Sequence, residues 1–376
     1  MNRSDLLPSA VVPAAGPAAA ALVDETAAVL SVPTAGDETS FVLHAPLELM
    51  ARVGLLPLVA PGRRADAVGM IESLRDRYRA TGESVAAPRA VPPDPAVLTA
   101  ALAAGDLAQV DEQAAALLPS LTAHAAAAAV APQIVPSLAA AGHAPIGLAL
   151  LARVPGLPST LLRPTLRSLA RRPDWRLTWF DSEAADVAGP ADLYDAVRAA
   201  PRLGRPGSDF IYPLMSQIEG NGAPAQLLGP VLAASPEPRA VAATLARTAA
   251  WSMEHDDPAQ APYGWSHALT MPQGVMALAG SAVPPRTAAA VAATYLLGFR
   301  AAHGTVDLPP ALAPGAWPAA TTEELATAAA LHQDAHLVKY TLACLHAATD
   351  DPAFAPLYLR AAQHLVAWWA AADAAR

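Results

Sequence analysis

Proline limits how far any regular element can run in this chain. The sequence has 38 prolines among 376 residues, and they stand at nearly every junction between apolar segments. A proline inside a helix removes a backbone donor and clashes with the preceding turn. Sustained alternation of apolar and polar residues, the pattern of a strand, is absent. Because much of the 53% hydrophobic fraction is alanine, the best helix former, we predict an all-α fold of many short, proline-punctuated helices.

The predicted organisation is a loosely structured N-terminal arm followed by one large helical domain. Residues 1–39 are rich in Ala, Pro, Ser and Thr, and we expect one short helix there, around 18–30. Residues 40–376 form the predicted domain. Its expected helices are at 41–54, 64–80, 95–104, 106–118, 120–131, 133–141, 144–153, 191–199, 208–218, 223–233, 237–249, 265–280, 285–302, 321–348 and 354–374.

Charge and cysteine content exclude several classes of protein. The net charge is −9, which argues against nucleic acid and anionic membranes as partners. Cys344 is the only cysteine, so neither an intrachain disulfide nor a cysteine-based metal site is possible, and we expect a reducing, cytoplasmic location. The uncharged stretch 113–152 contains four prolines and much alanine. We therefore predict buried helices there, and no membrane span.

The only lysine of the chain, Lys339, lies one helical turn after His336. In a continuous helix His332 would share the face of these two side chains, since the spacings are four and three residues. The flanking residues are apolar, which predicts that this face is buried. Burial lowers the pKa of a lysine towards neutrality, and a neutral amine can condense with carbon dioxide to a carbamate.

A carbamate is an anionic oxygen ligand, and imidazole suits iron, zinc or copper. The spacing of His332, His336 and Lys339 therefore predicts part of a metal site. From spacing alone a structural alternative stays open, in which Lys339 pairs with Asp334 or Glu323. For five other histidines a structural or solvated role is favoured: His124, His255, His303, His346 and His364.

Four segments resemble the motifs of the questin oxidase-like family, and they occur in the order of that family. DAHLVKYTLACL at 334–345 resembles the segment D-x-H-x-x-K, and WSHALT at 265–270 resembles H-x-x-T. AGHAPIGLAL at 141–150 resembles the motif F-H-x-x-I-R-L-x-Y-A-L. FVLHAPLELMA at 41–51 resembles N-H-x-x-H-x-L-x-A-L. The matched segments span residues 41–345, most of the chain.

The resemblance implies a helical protein with a mononuclear non-haem iron held by four histidines and a carboxylated lysine. Carried over residue by residue, the ligands are His44, His143, His267, His336 and Lys339 as N6-carboxylysine. The chain departs from the family motifs at Leu47, at Gly147 to Leu151 and at Ala268. We expect these positions to line the substrate pocket, so that the substrate differs from that of the family.

The resemblance further implies an Fe(II)-dependent oxygenase that uses dioxygen on an aromatic polyketide or anthraquinone-like substrate, by oxidative ring cleavage or Baeyer–Villiger-type oxidation. His332 is predicted as a base beside the metal or as an alternative ligand. The predicted aromatic walls are Trp175, Trp179, Tyr212 and Trp265. We expect neither flavin nor NAD(P), since the sequence has no dinucleotide-binding fingerprint. The alternatives are a zinc-dependent hydrolase at the same site and a helical binding protein without catalysis.

Overall fold

The computed structural model describes residues 16–36, 39–181, 189–203, 211–315 and 319–375, whose regular structure is almost entirely helical. Their β pairing amounts to three isolated bridges, without a sheet. The α-helices are α1 Pro17–Leu30, α2 Ser40–Leu55, α3 Arg64–Arg79, α4 Pro95–Ala104, α5 Leu107–Leu117, α6 Ala123–Ile134, α7 Ala144–Arg153, α8 Arg163–Ala170, α9 Leu193–Arg198, α10 Ile211–Gly220, α11 Ala223–Leu227, α12 Gly229–Ala233, α13 Pro238–His255, α14 Ser266–Met276, α15 Pro285–His303, α16 Thr322–Ala330, α17 Ala335–Asp350 and α18 Ala355–Ala374. The all-α prediction is confirmed.

Contacts within the chain define two compact units. Unit 1 comprises Met1–Arg176 and Ala326–Lys339, and unit 2 comprises Leu177–Leu325 and Tyr340–Arg376. Unit 1 therefore holds α1 to α8, the part of α16 from Ala326 onwards, the connection between α16 and α17, and the first turn of α17. Unit 2 holds α9 to α15, the start of α16, the rest of α17, and α18.

The core helix of unit 1 is α2. The hydroxyl of Thr39 caps it by accepting a hydrogen bond from the Val42 amide at 3.3 Å. It packs against α1, α3 and α7, and residues on all its faces are buried. By length and composition alone the segment Ser40–Leu58 would suffice to cross a membrane, but 72% of its apolar window is buried inside the fold. This burial is what a core helix requires.

Helix α1 confirms the short helix expected around residues 18–30. Its buried side chains include Val23, Ala27 and Leu30, and it packs against α3 and α2. Residues 1–15 of the predicted arm lie outside the described residues.

Three of the expected helices were placed wrongly. The helix predicted at 133–141 is absent, because α6 ends at Ile134 and residues 135–139 are not helical; Pro136 in that stretch has no amide hydrogen to donate. The helix predicted at 223–233 is two short ones, α11 and α12, which meet at Leu228. The helix predicted at 321–348 is interrupted at residues 331–334. A local cap explains this interruption, since Asp334 Oδ1 accepts a hydrogen bond from the His336 amide at 2.7 Å and starts a new helix there.

In unit 2, α14 packs against α13 and α15. Helix α15 is buried along almost its whole length. A single π-helical turn, Ala261–Trp265, leads into α14, and such turns are frequent at functional sites. His267 is the second residue of α14. The predicted helix 208–218 is α10, whose first described residue is Ile211.

Candidate metal site

Three of the predicted histidines lie together in unit 1. His44 projects from α2, His143 directly precedes α7, and His336 lies in the first turn of α17. The ring centroid of His44 is 4.4 Å from that of His143 and 4.4 Å from that of His336. All three side chains are buried.

With His267 these residues form a group that can hold a metal ion. One ligand atom from each of His44, His143, His267 and His336 lies within 4.8 Å of those of the others. Metal–nitrogen distances of about 2.1 Å separate two nitrogens on opposite sides of a metal by about 4.2 Å. The separation of the four ligand atoms is therefore close to that found around one metal ion.

In each histidine of the group, Nδ1 contacts a different oxygen atom. Nδ1 of His44 lies 2.5 Å from the Ser40 carbonyl and Nδ1 of His143 lies 2.8 Å from the Ala140 carbonyl. Nδ1 of His336 lies 3.1 Å from Asp334 Oδ1, and Nδ1 of His267 contacts the Tyr263 carbonyl. In a neutral imidazole an Nδ1–H donor leaves the lone pair on Nε2. Such an outer contact is what orients histidines that ligate metal.

The backbone before His143 is strained. Ala140 and Ala141 have φ angles of 51° and 49°, in the left-handed region that residues with a Cβ rarely adopt. Gly142, with φ of 67°, continues this conformation at no steric cost. The strained turn places the Ala140 carbonyl against Nδ1 of His143. Strain of this kind persists where the surrounding fold fixes a functional side chain.

Lys339 completes the set of predicted ligands in unit 1. Its side chain is 2% exposed, and its Nζ has no hydrogen-bond partner among the described residues. Burial lowers the pKa of Lys339 to about 7, against the opposing charges of Asp334 and Glu48. Burial, and then the charge of Lys339, lowers the pKa of His336 well below its usual value. The structure thus places a buried amine with a lowered pKa one turn after an imidazole whose pKa is also lowered.

His332 does not lie on the helix that carries His336 and Lys339. It belongs to the non-helical connection before α17, and its Nδ1 accepts a hydrogen bond from the Asp334 amide at 3.0 Å. The shared helical face predicted for all three residues is therefore wrong for His332. A role for His332 as a base or ligand stays a prediction.

The four predicted aromatic walls differ in their surroundings. Trp265 is fully buried in unit 2, two residues before His267. Trp179 donates from Nε1 to the Thr294 hydroxyl at 3.0 Å, and Tyr212 lies half-buried on α10. In unit 1 the Trp175 ring lies under the Arg172 guanidinium. Their contact with a substrate stays a prediction.

Reasoning from the sequence missed three residues around the site. Asp334 was considered only as an ion-pair partner of Lys339, although it holds both the amide and the ring of His336. Glu48 and Arg52 were not singled out. They are the buried charged residues of α2, and their spacing of four and eight residues from His44 was the signal that could have found them.

The donor set suits more than one metal ion. Neutral imidazole suits iron, zinc, copper and nickel, and a carbamate oxygen would favour the harder of these ions. Imidazoles alone therefore leave the metal open. Comparison of the chain with protein-family models, with curated proteins and with solved structures gave no match.

Proposed function

We infer that this protein is an iron(II)-dependent oxygenase that acts on an aromatic polyketide or anthraquinone-like substrate in the cytoplasm. The observation that carries the proposal is the buried group of four histidines with the amine of Lys339 nearby on the chain, buried and without a hydrogen-bond partner among the described residues. The resemblance of four sequence segments to the questin oxidase-like family supports the substrate class.

The residues present fit a metal with one anionic oxygen ligand. Each imidazole is oriented by an oxygen on Nδ1, as described above. Lys339 has the lowered pKa that carbamate formation needs. Its neutral Nζ attacks the carbon of carbon dioxide: an N–C bond forms, one C=O π bond breaks with its electron pair moving onto that oxygen, and Nζ releases one proton to solvent. The negative charge of the carbamate would be balanced by the metal cation.

Four imidazoles and one carbamate oxygen would be the ligands that hold the metal. When bound, iron(II) would supply the activation of dioxygen. The protein residues would hold the metal, orient the imidazoles and exclude water from it. His332 and the aromatic residues named above are the candidates for contact with the substrate.

Metal content and the carbamate test the proposal separately. We expect stoichiometric iron in protein loaded with iron(II) without oxygen, and dioxygen consumption when a hydroxylated anthraquinone is added. Stoichiometric zinc, with hydrolysis and no dioxygen consumption, would instead support the hydrolase. A protein that takes up no metal would favour a helical binding protein.

The carbamate test uses the fact that Lys339 is the only lysine. With ¹³C-labelled bicarbonate, Lys339 is the only side-chain amine that can give a lysine carbamate signal. The N-terminal amine is the other group that can form a carbamate. We expect a signal that is present in the wild type and missing in Lys339→Ala. The same signal in both proteins would assign it to the N-terminus and remove Lys339 from the ligand set.

A further inference from the structure

A buried ion pair lies on α2, on the same side as His44. Arg52 donates from Nε and Nη2 to Glu48 Oε1 at 2.8 and 2.6 Å, and both side chains are 1% exposed. Arg77 of α3 donates to the same oxygen at 3.2 Å. Two charges taken out of water persist only when their hydrogen-bonding groups are satisfied. The Arg52 guanidinium is therefore fixed by its partners.

The remaining donors of Arg52 hold the connection between α16 and α17. Nη1 donates to the Ala330 carbonyl at 2.7 Å and Nη2 donates to the His332 carbonyl at 2.6 Å. Ala330 is the last residue of α16, where carbonyls have no partner within the helix. A single guanidinium thus fixes the backbone on both sides of Leu331.

The connection held by Arg52 also orients a proposed metal ligand. Its last residue, Asp334, accepts a hydrogen bond from the amide of His336 at 2.7 Å and contacts the ring Nδ1 at 3.1 Å. The His332 ring accepts from the Asp334 amide, so the connection is bonded internally as well. A short path of hydrogen bonds therefore runs from Arg52 through the connection to the ring of His336.

Arg52 also lies on the helix that carries His44, an imidazole neighbour of His336 in unit 1. Residues 44, 48 and 52 share one face of α2, since each lies four residues after the last. The rings of His44 and His336 are 4.4 Å apart. We propose that Arg52 is a positioning residue of the metal site, which sets the placement of His336 relative to His44 without touching the metal. This inference rests on the proposed function only in requiring that the site binds a metal.

The substitution Arg52→Lys separates this role from the charge of the residue. A guanidinium is a planar fork of five donors, whereas an ammonium is a compact point with three. The ammonium introduced by Arg52→Lys could keep the ion pair with Glu48, but it could not also reach both carbonyls. The substitution therefore releases the connection without leaving Glu48 unpaired.

The test is a cobalt(II) titration of the metal-free protein against a competing chelator, with the visible spectrum of the bound ion as a second readout. For Arg52→Lys we expect affinity to fall about tenfold, the lower end of the effect of residues that orient metal ligands, and the cobalt bands to shift. The matched control is Arg247→Lys. Arg247 is also paired through two nitrogens, at 2.7 and 2.8 Å, but to Asp351, which follows the other end of α17.

Unchanged cobalt affinity and spectrum in Arg52→Lys would overturn the proposal, and so would an equal loss in Arg247→Lys. If Arg52→Lys does not fold, Glu48→Gln takes its place. This substitution weakens the ion pair that holds Arg52, and we expect a smaller loss of cobalt affinity.

If the wild type binds no metal, the proposed function fails. Hydrogen exchange of the amides of residues 331–336 then decides the positioning role: faster exchange in Arg52→Lys alone supports it, and equal exchange refutes it.

Discussion

Asp334 holds His336 at two points, since its Oδ1 accepts a hydrogen bond from the His336 amide at 2.7 Å and lies 3.1 Å from the ring Nδ1. The first contact begins α17, and the second fixes the direction of the imidazole. A single carboxylate thus links the start of a helix to the orientation of a proposed metal ligand.

Asp334→Ala is therefore expected to weaken metal binding. Loss of an outer contact of a ligating histidine typically costs 10- to 100-fold in metal affinity, and we expect a loss of about tenfold or more. Chelator competition with cobalt(II) measures it.

The control for Asp334→Ala is Asp94→Ala. Asp94 caps α4 by accepting from the Ala96 amide at 2.8 Å, so its loss costs roughly 1 kcal/mol of stability and no metal affinity. Equal metal affinities in the two variants would show that Asp334 acts only as a helix cap.

The all-α fold followed from composition, but the start of α17 did not. Apolar residues continue at helical spacing across residues 331–334, so periodicity predicts one long helix. The break depends on a side-chain hydrogen bond of Asp334, and such a bond competes with helical pairing without changing the apolar pattern.

The network around the site was harder to predict than its ligands. The resemblance named the four histidines that the structure groups, because each lies in its own short motif. Arg52 lies 278 residues from Ala330 along the chain, and nothing in the local sequence of either residue indicates the other. Contacts of this kind depend on how the helices pack, which short patterns do not specify.

His44→Ala should remove metal binding while leaving a folded protein. The side chain provides a ligand nitrogen in the group, and its loss leaves a donor set that lacks one imidazole. Elemental analysis after loading and gel filtration gives the metal content, and circular dichroism checks the fold.

The matched control for His44→Ala is His255→Ala. His255 makes the same kind of contact, from Nδ1 to the Trp251 carbonyl at 2.8 Å, and stacks on the Trp251 ring, but it is exposed and outside the group. We expect full metal content in this variant. Metal loss in both would point to binding that does not depend on the four-histidine group.

The strained turn before His143 predicts a stabilising substitution. Ala141 has φ of 49°, and left-handed backbone costs a residue with a Cβ roughly 1–2 kcal/mol. Glycine would remove this cost, offset by roughly 0.5–1 kcal/mol of extra entropy in the unfolded chain. Ala141→Gly should therefore raise the free energy of unfolding by roughly 0.5–1 kcal/mol, measured by urea denaturation.

The control substitution Ala149→Gly should lower the free energy of unfolding. Ala149 lies inside α7, where glycine costs about 1 kcal/mol relative to alanine. A loss of stability in both variants would mean that the turn at Ala141 is not strained.

The lowered pKa of Lys339 predicts how the stability of the metal-free protein depends on pH. Burial lowers this pKa from 10.5 to about 7. Between these values the unfolded chain binds one proton more than the folded chain, so the free energy of unfolding rises with pH. The rise is on the order of 1.4 kcal/mol per pH unit. Below pH 7 both states are protonated, and the full cost of burying the charge remains.

The substitution Lys339→Met removes the titrating amine and keeps most of the side-chain volume. Relative to this variant, the wild type should gain roughly 2–3 kcal/mol between pH 7 and pH 9, measured by urea denaturation in buffer free of metal and carbon dioxide. His336 titrates below this interval because burial lowers its pKa, so it does not contribute to the difference. Parallel pH profiles would show that Lys339 keeps an ordinary pKa. Lys339 would then be an ammonium at neutral pH and unable to attack carbon dioxide. It could therefore not provide a carbamate ligand.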